Sequence, residues 1–319
     1  MPELPEVEVV RAGLQPAVAG AVVERVEVLE PRSLRRHEGP ADDFVARLEG
    51  AELRGAVRRG KFLWLPFESA TGDDSHALVA HLGMSGQVLL RDRDAPDDRL
   101  LRIRLDLDHP SLGPQRLAFV DQRIFGSMAL DELVPTADGR ASGFAGASLL
   151  GASASESPAQ DPPWLSVIPR QVAHIARDPL DPAFDEGLFF TRLAARASGI
   201  KRALLDQTLV SGIGNIYADE SLWAAKLHFD QPASSLSRGK AKLLLVEIRD
   251  VLFKALAEGG TSFDAQYVNV NGQSGYFSHS LNAYGQQGKP CPRCGTPIRR
   301  VSFMNRGSHF CPRCQRRRY

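Results

Sequence analysis

The first part of the chain alternates short apolar runs with turn residues. Runs rich in β-branched or large apolar residues lie at 21–29, 62–65, 76–81, 87–90, 101–107 and 116–120, separated by Gly, Pro and Asp. Short strands at such regular spacing are typical of an antiparallel sandwich or barrel. A short helix is predicted at 44–48 beside them. We therefore expect an antiparallel β-sandwich in this part of the chain.

The pattern becomes helical from Pro182 onward. Candidate helices lie at 183–195, 200–209, 216–225 and 237–257, and Gly259-Gly260 ends the last of them. A loop rich in Asn, Gly and Ser follows at 268–280. Between the two halves, residues 138–163 consist mainly of Ala, Ser, Gly and Pro. This composition predicts a flexible loop or linker without a catalytic part.

The opening residues combine a helical pattern with unusual chemistry. A partial apolar stripe predicts a helix over 3–14, stopped by Gly13 with Pro16. Removal of the initiator methionine would leave Pro2 as an amino terminus with a secondary amine. An unperturbed terminal amine has a pKa of about 7.7–8.0, against about 10.4 for lysine, so this amine can be neutral and nucleophilic near pH 7.

Attack of such an amine on a sugar aldehyde carbon would give an iminium, which acts as an electron sink. Glu3 lies beside the amine, and Glu6 follows it along the chain. The alternative interpretation is a capped N-terminal helix with acidic residues in its first turn, where the helix dipole favours them. These residues alone leave both interpretations open.

Length and charge allow more than one domain and indicate a polyanionic partner. The chain has 319 residues and a net charge of +1, enough for about two domains. No Asp or Glu follows Asp264, whereas the remainder carries Lys289, Arg293, Arg299, Arg300, Arg306, Arg313, Arg316, Arg317 and Arg318. A basic terminus on a balanced chain suggests a polyanion. The alternative is a disordered solubilising tail.

All four cysteines lie in two C-x-x-C pairs. Cys291 and Cys294 are separated by sixteen residues from Cys311 and Cys314. This is zinc-ribbon spacing, and four thiolates suit one tetrahedral Zn²⁺ with no position left for water. We therefore predict one structural zinc ion. No signal peptide and no apolar run near the roughly 18 residues of a membrane span are evident, so we expect a reducing, cytoplasmic location.

Two further segments could meet phosphate. Gly212 and Gly214 form a tight turn, and Asn215 begins the next helix, so its side chain and the free helix amides could face a phosphate. The alternative is an ordinary helix hairpin with a capping Asn. Lys61 follows a basic turn at 58–60, which could contact phosphate or be a solvated run of charges.

Two loops of the N-terminal half carry side chains suited to a distorted duplex. Met84 lies between glycines in the segment 81–86, and Arg123 with Phe125 lies in 121–126. Met and Phe can fill the gap left when a nucleotide is turned out of a duplex. The alternative is ordinary core packing.

Together these motifs resemble the formamidopyrimidine-DNA glycosylases, in the order in which that family carries them. The matching segments are 2–8, 59–61, 81–86, 121–126, 204–220 and the closing cysteine ribbon, which span nearly the whole chain. The resemblance implies an α+β multidomain fold. An N-terminal catalytic domain at 1–135 would be an antiparallel β-sandwich with flanking helices, and a flexible insertion or linker would follow at 136–170. A helical helix–two-turn–helix domain with a lesion-capping loop would span 171–284, and a C-terminal four-cysteine zinc ribbon would span 285–319.

The resemblance implies a bifunctional DNA glycosylase and AP lyase of base excision repair. Its partner would be double-stranded DNA with an oxidised purine, above all 8-oxoguanine or a formamidopyrimidine, or with an abasic site. A monomer would bind this DNA in the cleft between its halves. The terminal amine would attack C1′, the base would leave, and β- then δ-elimination would cleave the strand. No redox cofactor or catalytic metal is required.

The resemblance also assigns roles to individual positions. Pro2 would be the Schiff-base nucleophile, Glu3 the acid–base residue and Lys61 the basic residue of elimination. Glu6 would be a supporting carboxylate near the sugar, and His81 would be a DNA-binding residue. The side chains that fill the void would be Met84, Arg123 and Phe125, with Arg123 facing the orphaned cytosine. Asn215 and Arg306 would clamp the phosphates that flank the lesion. The residues closing over the flipped base would be Gln273, Ser274, Gly275 and Tyr276.

The chain departs from the family pattern at two single positions and at an apparent insertion over 138–163, and two alternatives stay open. Gln273 stands where many relatives carry Lys, and Ile124 replaces a frequent Arg. The related endonuclease VIII group uses the same terminal proline on oxidised pyrimidines, although the opening residues 4–6 and the void-filling set favour the purine enzyme. A non-catalytic DNA-binding module could keep the fold, although the nucleophile and both acid–base residues are intact.

Overall fold

The described residues form a first helix, a block of strands that includes a short helix, a group of helices and a final hairpin. The structure is a computed structural model that describes residues 2–146, 162–261, 270 and 275–317. Its α-helices are α1 (Leu4–Val18), α2 (Ala41–Leu48), α3 (Glu186–Ala194), α4 (Ile200–Leu205), α5 (Asn215–Ala224) and α6 (Arg238–Ala257). Its strands are β1 (Val22–Val28), β2 (Glu52–Leu53), β3 (Val57–Arg59), β4 (Phe62–Glu68), β5 (His76–His81), β6 (Gly86–Asp92), β7 (Leu101–His109), β8 (Gly113–Asp121), β9 (Ser127–Pro135), β10 (Val167–Pro169), β11 (Arg299–Phe303) and β12 (Arg306–Phe310). Within these ranges no helix is both long and apolar enough to cross a bilayer.

Strands β1 to β10 form an antiparallel sheet with a shared core. The order is β10-β9-β5-β4-β2-β1-β7-β8-β6, with β3 beside β4. Leu65 and Leu78 from one half of the sheet belong to the same buried cluster as Ile103 and Phe119 from the other half. The two halves therefore cover each other's apolar faces, as in a sandwich. The predicted α+β fold with an antiparallel β-sandwich is confirmed.

Helix α1 is longer than the sequence pattern predicted. It continues through Gly13 and Pro16 to Val18, so the prediction that these two residues stop it is wrong. The missing amide of a proline removes one helix bond, but Leu14 and Val18 are fully buried on the sandwich core. Gly13 is required for packing instead, because a Cβ there would lie 2.4 Å from the side chain of Val270.

The start of α1 also connects the sandwich to the helical domain. Val7 and Val10 belong to the sandwich core, whereas Leu4 belongs to the core formed by α3 to α6. The Leu4 amide donates a 2.9 Å hydrogen bond to the carbonyl of Gly212 in the turn before α5. The N-terminal residues are therefore placed by both domains.

Part of the segment predicted to be flexible is packed on the sheet. The backbone of Phe144 pairs with that of Arg58 in both directions, at 2.8 and 3.0 Å. A Cβ on Gly143 would lie 2.3 Å from the Arg58 carbonyl, so small residues allow this close approach. The prediction of flexibility is wrong for 138–146, and 147–161 lies outside the described residues. The boundaries of the four predicted segments stay predictions.

Candidate active site

Pro2 lines a cavity to which the sandwich, the helical domain and the last hairpin all contribute. The cavity has a volume of about 350 Å³, which lies in the range of small-molecule sites. Its walls are Pro2, Lys61, Phe62, His81, Leu82, Gly83, Leu205, Gln207, Gly214, Asn215, Phe303, Met304 and Arg306. The structure thus brings together five predicted site residues that are far apart in the sequence.

The Glu3 carboxylate is held at the N-terminus of α5. One oxygen, Oε2, accepts hydrogen bonds from the amides of Gly214 at 2.6 Å and Tyr217 at 3.3 Å, and Oε1 accepts from Ile216 at 2.9 Å. These are the amides that a helix end leaves without internal partners. The amides of Gly214, Ile216 and Tyr217 are therefore engaged by Glu3 and are not free to face a phosphate, whereas the predicted phosphate contact of the Asn215 side chain stays a prediction.

The surroundings of Glu3 and Lys61 shift the pKa values of both groups so that their neutral forms are favoured. Burial raises the pKa of the Glu3 carboxyl, opposed by the charge of Lys61 and by the helix amides. Burial also lowers the pKa of the Lys61 amine, opposed by the charge of Glu3. Such shifts suit an acid and a base that exchange protons near neutral pH.

Lys61 follows a tight turn that is stabilised by buried ion pairs. Its Nζ donates to the carbonyl of Ile213 at 2.8 Å. Arg58 pairs with Glu8 and Asp178, each at 2.8 Å, and all three side chains are buried. Asp178 also accepts from the amide of Gly60 at 3.2 Å. The alternative of a solvated charge run is therefore wrong for this turn.

The Glu6 carboxylate connects the first residues of the chain to α5 and to Thr261, which precedes the predicted capping loop. Its Oε2 accepts from the Glu3 amide at 2.9 Å. Its Oε1 accepts from the Tyr217 hydroxyl at 2.6 Å, the Thr261 amide at 2.7 Å and the Thr261 hydroxyl at 2.8 Å. Sequence reasoning missed Tyr217 and Thr261, although Tyr217 lies in the matched stretch and Thr261 directly follows Gly259-Gly260.

The three predicted void-filling side chains are exposed rather than packed in a core. Met84 is 39% exposed and Phe125 is 49% exposed. Arg123, between the loop start and Phe125, is exposed as well. The alternative of ordinary core packing is therefore wrong for these residues, and they are available for contact with a ligand.

Asp121 holds the two loops that carry these side chains. It is 1% exposed, and its Oδ1 accepts from the Ser85 hydroxyl at 2.5 Å and the Arg123 amide at 3.1 Å. Its Oδ2 accepts from the Gly126 amide at 2.6 Å. A Cβ on Gly83 would lie 2.4 Å from the Phe125 carbonyl, so the loops also touch directly. Sequence reasoning missed this anchoring role.

Arg35 stabilises the loop at 121–126 through hydrogen bonds to its backbone. It donates to the carbonyls of Ile124 at 3.0 Å, Gly126 at 2.7 Å and Phe125. Ile124 has φ of 54°, a region that β-branched residues rarely adopt. Three bonds from one guanidinium thus stabilise a backbone shape that the residue itself disfavours. No sequence pattern marks Arg35 for this role, because it lies far away in a different segment.

Comparisons with known proteins agree with this geometry. Family models match for the formamidopyrimidine-DNA glycosylase N-terminal domain at 1–128, its H2TH domain at 175–266 and the zinc finger found in FPG and IleRS at 288–317. The chain is 61% identical to the formamidopyrimidine-DNA glycosylase of Leifsonia xyli over 99% of this chain and 100% of the relative. It is 52% identical to that of Thermobifida fusca over 99% and 98%.

The chain belongs to the formamidopyrimidine-DNA glycosylase family.

Solved structures of this family have the same fold. The Lactococcus lactis enzyme in complex with DNA containing an abasic site is 30% identical, with a TM-score of 0.75 over 99% of this chain and all of that one. A mutant of the same enzyme in complex with DNA containing Fapy-dG gives a TM-score of 0.76 at the same identity and coverage. The predicted family resemblance is confirmed.

The zinc finger of this family is formed by the four cysteines. The sulfurs of Cys291, Cys294, Cys311 and Cys314 all lie within 4.8 Å of one another, as ligands of one tetrahedral ion require. Two of them pack with Trp223 of α5 in one buried cluster. The predicted structural zinc ion is confirmed by this cluster and by the matching family model.

The hairpin of the zinc finger brings Arg306 to the cavity. Met304 and Asn305 form its two-residue turn, with φ of 46° and 60°, and Phe303 pairs with Arg306 across it. Positive φ at both positions is the geometry of a tight hairpin turn. Arg306 thus lines the Pro2 cavity, and it also lines an adjoining cavity that reaches Glu3.

Buried polar groups dock this hairpin on the helical domain. Asp219 of α5 pairs with Lys201 at 2.7 Å, and both side chains are almost fully buried. Asp219 also accepts from the Ser308 hydroxyl at 3.0 Å and the His309 amide at 2.8 Å. The Asn215 side-chain amide donates to the carbonyl of Gly307 at 3.1 Å. The relative position of Asn215 and Arg306 is thereby fixed.

The predicted lesion-capping loop is described only at its end. Gln273 and Ser274 lie outside the described residues. Gly275 lies so close to the backbone of Gly259 that a Cβ would be 2.3 Å from its carbonyl. Tyr276 is 73% exposed. The capping role of these four residues stays a prediction.

Proposed function

We propose that this chain is a bifunctional DNA glycosylase and AP lyase of base excision repair. Its substrate would be double-stranded DNA with 8-oxoguanine, a formamidopyrimidine or an abasic site. The family membership supports this activity, and the Lactococcus lactis enzyme has been solved in complex with abasic-site DNA and, as a mutant, with Fapy-dG DNA. The chain would act as a monomer in the cytoplasm, on chromosomal DNA of the nucleoid.

One observation carries the proposal. Pro2 lines a cavity of about 350 Å³ together with Lys61, and the next residue, Glu3, has its carboxylate fixed at the N-terminus of α5. A secondary amine, a protonated acid and a neutral amine are the groups that Schiff-base chemistry on a sugar requires. A DNA-binding module without catalysis would have no need for a buried acid and a buried amine beside its amino terminus.

The chemistry follows from these groups. The Pro2 nitrogen forms a bond to C1′ while the bond from C1′ to the damaged base breaks, and the base leaves with a proton. Glu3, with its raised pKa, protonates O4′ as the bond from C1′ to O4′ breaks, and the lone pair of the Pro2 nitrogen forms the double bond to C1′. The resulting iminium acidifies C2′, and loss of that proton to a base such as Lys61 expels the 3′ phosphate. A second elimination expels the 5′ phosphate, and water releases Pro2.

The remaining site residues would hold the DNA in a kinked form. Met84 and Phe125 would occupy the space left by the everted nucleotide, and Arg123 would face the orphaned cytosine. Asn215 and Arg306 would bind the phosphates that flank the lesion. His81 would line the pocket for the sugar, and Glu6 would support the site from behind through its bond to the Glu3 amide. Gln273, Ser274, Gly275 and Tyr276 would cover the flipped base.

Borohydride trapping tests the proposal. The mature protein, mixed with a duplex containing an abasic site and reduced, should give a covalent adduct that mass spectrometry locates at Pro2. A protein with its amino terminus acylated should give none and should not nick the strand. No adduct from the mature protein would leave only a DNA-binding module, and full nicking activity by the blocked protein would refute the Pro2 mechanism.

The substrate class needs a separate comparison. One neighbouring structure is a complex of the Lactococcus lactis enzyme with DNA containing an oxidised pyrimidine, so oxidised pyrimidines are the second candidate. Duplexes with 8-oxoguanine opposite cytosine should be cleaved faster than matched duplexes with thymine glycol. A strong preference for thymine glycol would overturn the purine assignment and leave the Schiff-base chemistry intact.

A further inference from the structure

The turn before α5 contacts every part of the proposed catalytic machinery. This turn is formed by Gly212, Ile213 and Gly214. Its first carbonyl accepts a 2.9 Å hydrogen bond from the amide of Leu4, and its second carbonyl accepts a 2.8 Å bond from Nζ of Lys61. Its third residue donates its amide to Oε2 of Glu3 at 2.6 Å. The shape of this turn therefore sets where the acid and the amine of the site lie.

The side-chain amide of Gln207 holds this turn at two successive residues. Its Oε1 accepts from the amide of Gly212 at 3.0 Å, and its Nε2 donates to the carbonyl of Ile213 at 3.0 Å. Nε2 also donates to the carbonyl of Leu205, the last residue of α4, at 3.1 Å. Gln207 is half-buried and lines the Pro2 cavity. One side chain thus connects the end of α4 to the turn, through both its donor and its acceptor.

The carbonyl of Ile213 is shared by Gln207 and Lys61. A carbonyl oxygen has two lone pairs and can accept from both side chains at once. Within the described residues this is the only hydrogen bond of the Lys61 Nζ. A lysine amine stands on a flexible four-carbon stem, so a fixed acceptor determines where the amine lies. The Glu3 carboxylate depends less on the turn, because it also accepts from two amides of α5.

We propose that Gln207 is a positioning residue for the elimination step and directs the amine of Lys61 toward C2′ of the bound sugar through the Ile213 carbonyl. This inference rests on the proposed glycosylase and lyase function. In that step the neutral amine takes a proton from C2′, the electrons of the broken bond turn the iminium into an enamine, and the enamine expels the phosphate from C3′. The amine must come within hydrogen-bond reach of that proton, so displacement of the carbonyl slows elimination more than formation of the Schiff base at Pro2.

Gln207→Met tests the contact with the turn. Methionine is also unbranched, but it can neither donate to the Ile213 carbonyl nor hold the Gly212 amide as glutamine does. Single-turnover reactions with an abasic-site duplex should be divided at each time point, one part reduced with borohydride and the other assayed for strand cleavage. We expect cleavage to slow by about 100-fold, as displacement of a catalytic group by about 1 Å can cause, while the adduct at Pro2 forms at close to the wild-type rate. Partial unfolding of the variant would lower both signals equally, so the ratio of cleaved strand to adduct reports the positioning role.

Gln207→Glu adds a signature in the pH dependence. A glutamate keeps an acceptor for the Gly212 amide, loses the donor to Ile213 and places an anion beside the Lys61 amine. The charged and titratable groups already close to Lys61 are Glu3, Glu6, His81 and Arg306. A further anion raises the pKa of Lys61 and leaves less of the neutral amine, so elimination should be at least about tenfold slower near pH 7 and should recover as the pH rises. Gln207→Met should be slow without such a recovery.

Gln115→Glu is the matched control for the change in charge. Gln115 lies on β8 and does not line the Pro2 cavity, so this variant should keep the wild-type rates of adduct formation and cleavage. A wild-type ratio of cleaved strand to adduct in Gln207→Met, or a pH profile of Gln207→Glu parallel to that of the wild type, would overturn the positioning role and leave the proposed function intact. Absence of any adduct from the wild-type protein would overturn the proposed function and this inference with it.

Discussion

The carboxylate of Glu3 accepts a 2.6 Å hydrogen bond from the backbone amide of Gly214, across 211 residues of sequence. The acid beside the proposed nucleophile is therefore held by the helical domain as well as by the first turn of its own helix. This contact requires glycine at position 214, because a Cβ there would lie 2.4 Å from the Glu3 carboxylate. The turn before α5 and the first residues of the chain thus form one unit.

Gly214→Ala should disrupt this unit with little effect on backbone conformation. The φ of −125° at Gly214 is open to alanine, so the clash with Glu3 is the main consequence. We expect strand cleavage at 8-oxoguanine to fall by about 100-fold, since displacement of a catalytic group by about 1 Å can have that effect. The rate should be measured in single-turnover experiments with excess protein.

Gly239→Ala is the matched control for this substitution. Gly239 lies in the first turn of α6, and no atom lies within 4 Å of a Cβ placed there. This variant should keep wild-type cleavage and gain slightly in stability, because alanine is a better helix former than glycine. Equal rates for Gly214→Ala and Gly239→Ala would show that the contact with Glu3 is unimportant.

Local patterns predicted the elements well because each depends on neighbouring residues. The strands around 76–81 and 101–107 and the helix ending before Gly259 follow from periodicity and glycine signals. The end of α1 was missed because burial of Val18 outweighs the local cost of Pro16. Periodicity does not show such tertiary contributions to helix length.

The candidate site was predicted residue by residue but not as a network. Chemistry marked Pro2, Glu3 and the cysteines, because few residue types can serve as amine nucleophile, acid or thiolate ligand. Asp121 and Arg35 were missed because they act through hydrogen bonds to backbone atoms of distant segments. Any acidic or basic residue could fill such a role in principle, so only the three-dimensional arrangement identifies it.

Asp121→Asn should loosen both void-filling loops without touching the proposed nucleophile. The amide group of Asn can replace only one of the two carboxylate oxygens as an acceptor, so the amide of Gly126 or the pair formed by Ser85 and Arg123 loses its partner. We expect weaker binding of lesion-containing duplexes, by roughly 10-fold or more, from the loss of about 1.5–3 kcal/mol. Fluorescence anisotropy with a non-cleavable abasic analogue measures this affinity.

Asp108→Asn controls for the loss of one negative charge from the sandwich. Asp108 lies on β7 and is exposed. It should leave affinity unchanged or slightly improved, since removal of an exposed anion reduces repulsion of DNA. Wild-type affinity in Asp121→Asn would contradict the anchoring role of that carboxylate.

Removal of zinc should release Arg306 from the cavity while the sandwich stays folded. The cysteines of the zinc finger pack with Trp223, whereas the sandwich core contains no residue of the zinc finger. Elemental analysis should find one zinc per chain. After chelation or Cys294→Ser, we expect loss of DNA binding with retention of most β-sheet circular dichroism. Unchanged DNA affinity in the zinc-free protein would show that the hairpin is not needed for binding.

The partly buried imidazole of His81 should make the protein less stable in mild acid. Burial lowers the pKa of His81 to about 4, with the charges of Arg36, Arg35 and Lys61 adding to the effect, and its Nδ1 is buried without a hydrogen-bond partner. The unfolded chain has the ordinary histidine value of about 6.5. Between these two pKa values the unfolded state binds more protons, so the free energy of unfolding rises with pH.

The stabilisation by neutral His81 should therefore be complete above about pH 6.5 and be lost as the pH falls toward 4. The full difference corresponds to about 3 kcal/mol at about 1.36 kcal/mol per pKa unit. Urea unfolding at pH 7.0, 6.0, 5.0 and 4.5, chosen to cover about this range, measures the slope. His81→Asn, which cannot titrate, should show a shallower dependence than the wild type. Parallel curves for the two proteins would mean that His81 titrates alike in the folded and unfolded states, so that another group causes the acid sensitivity.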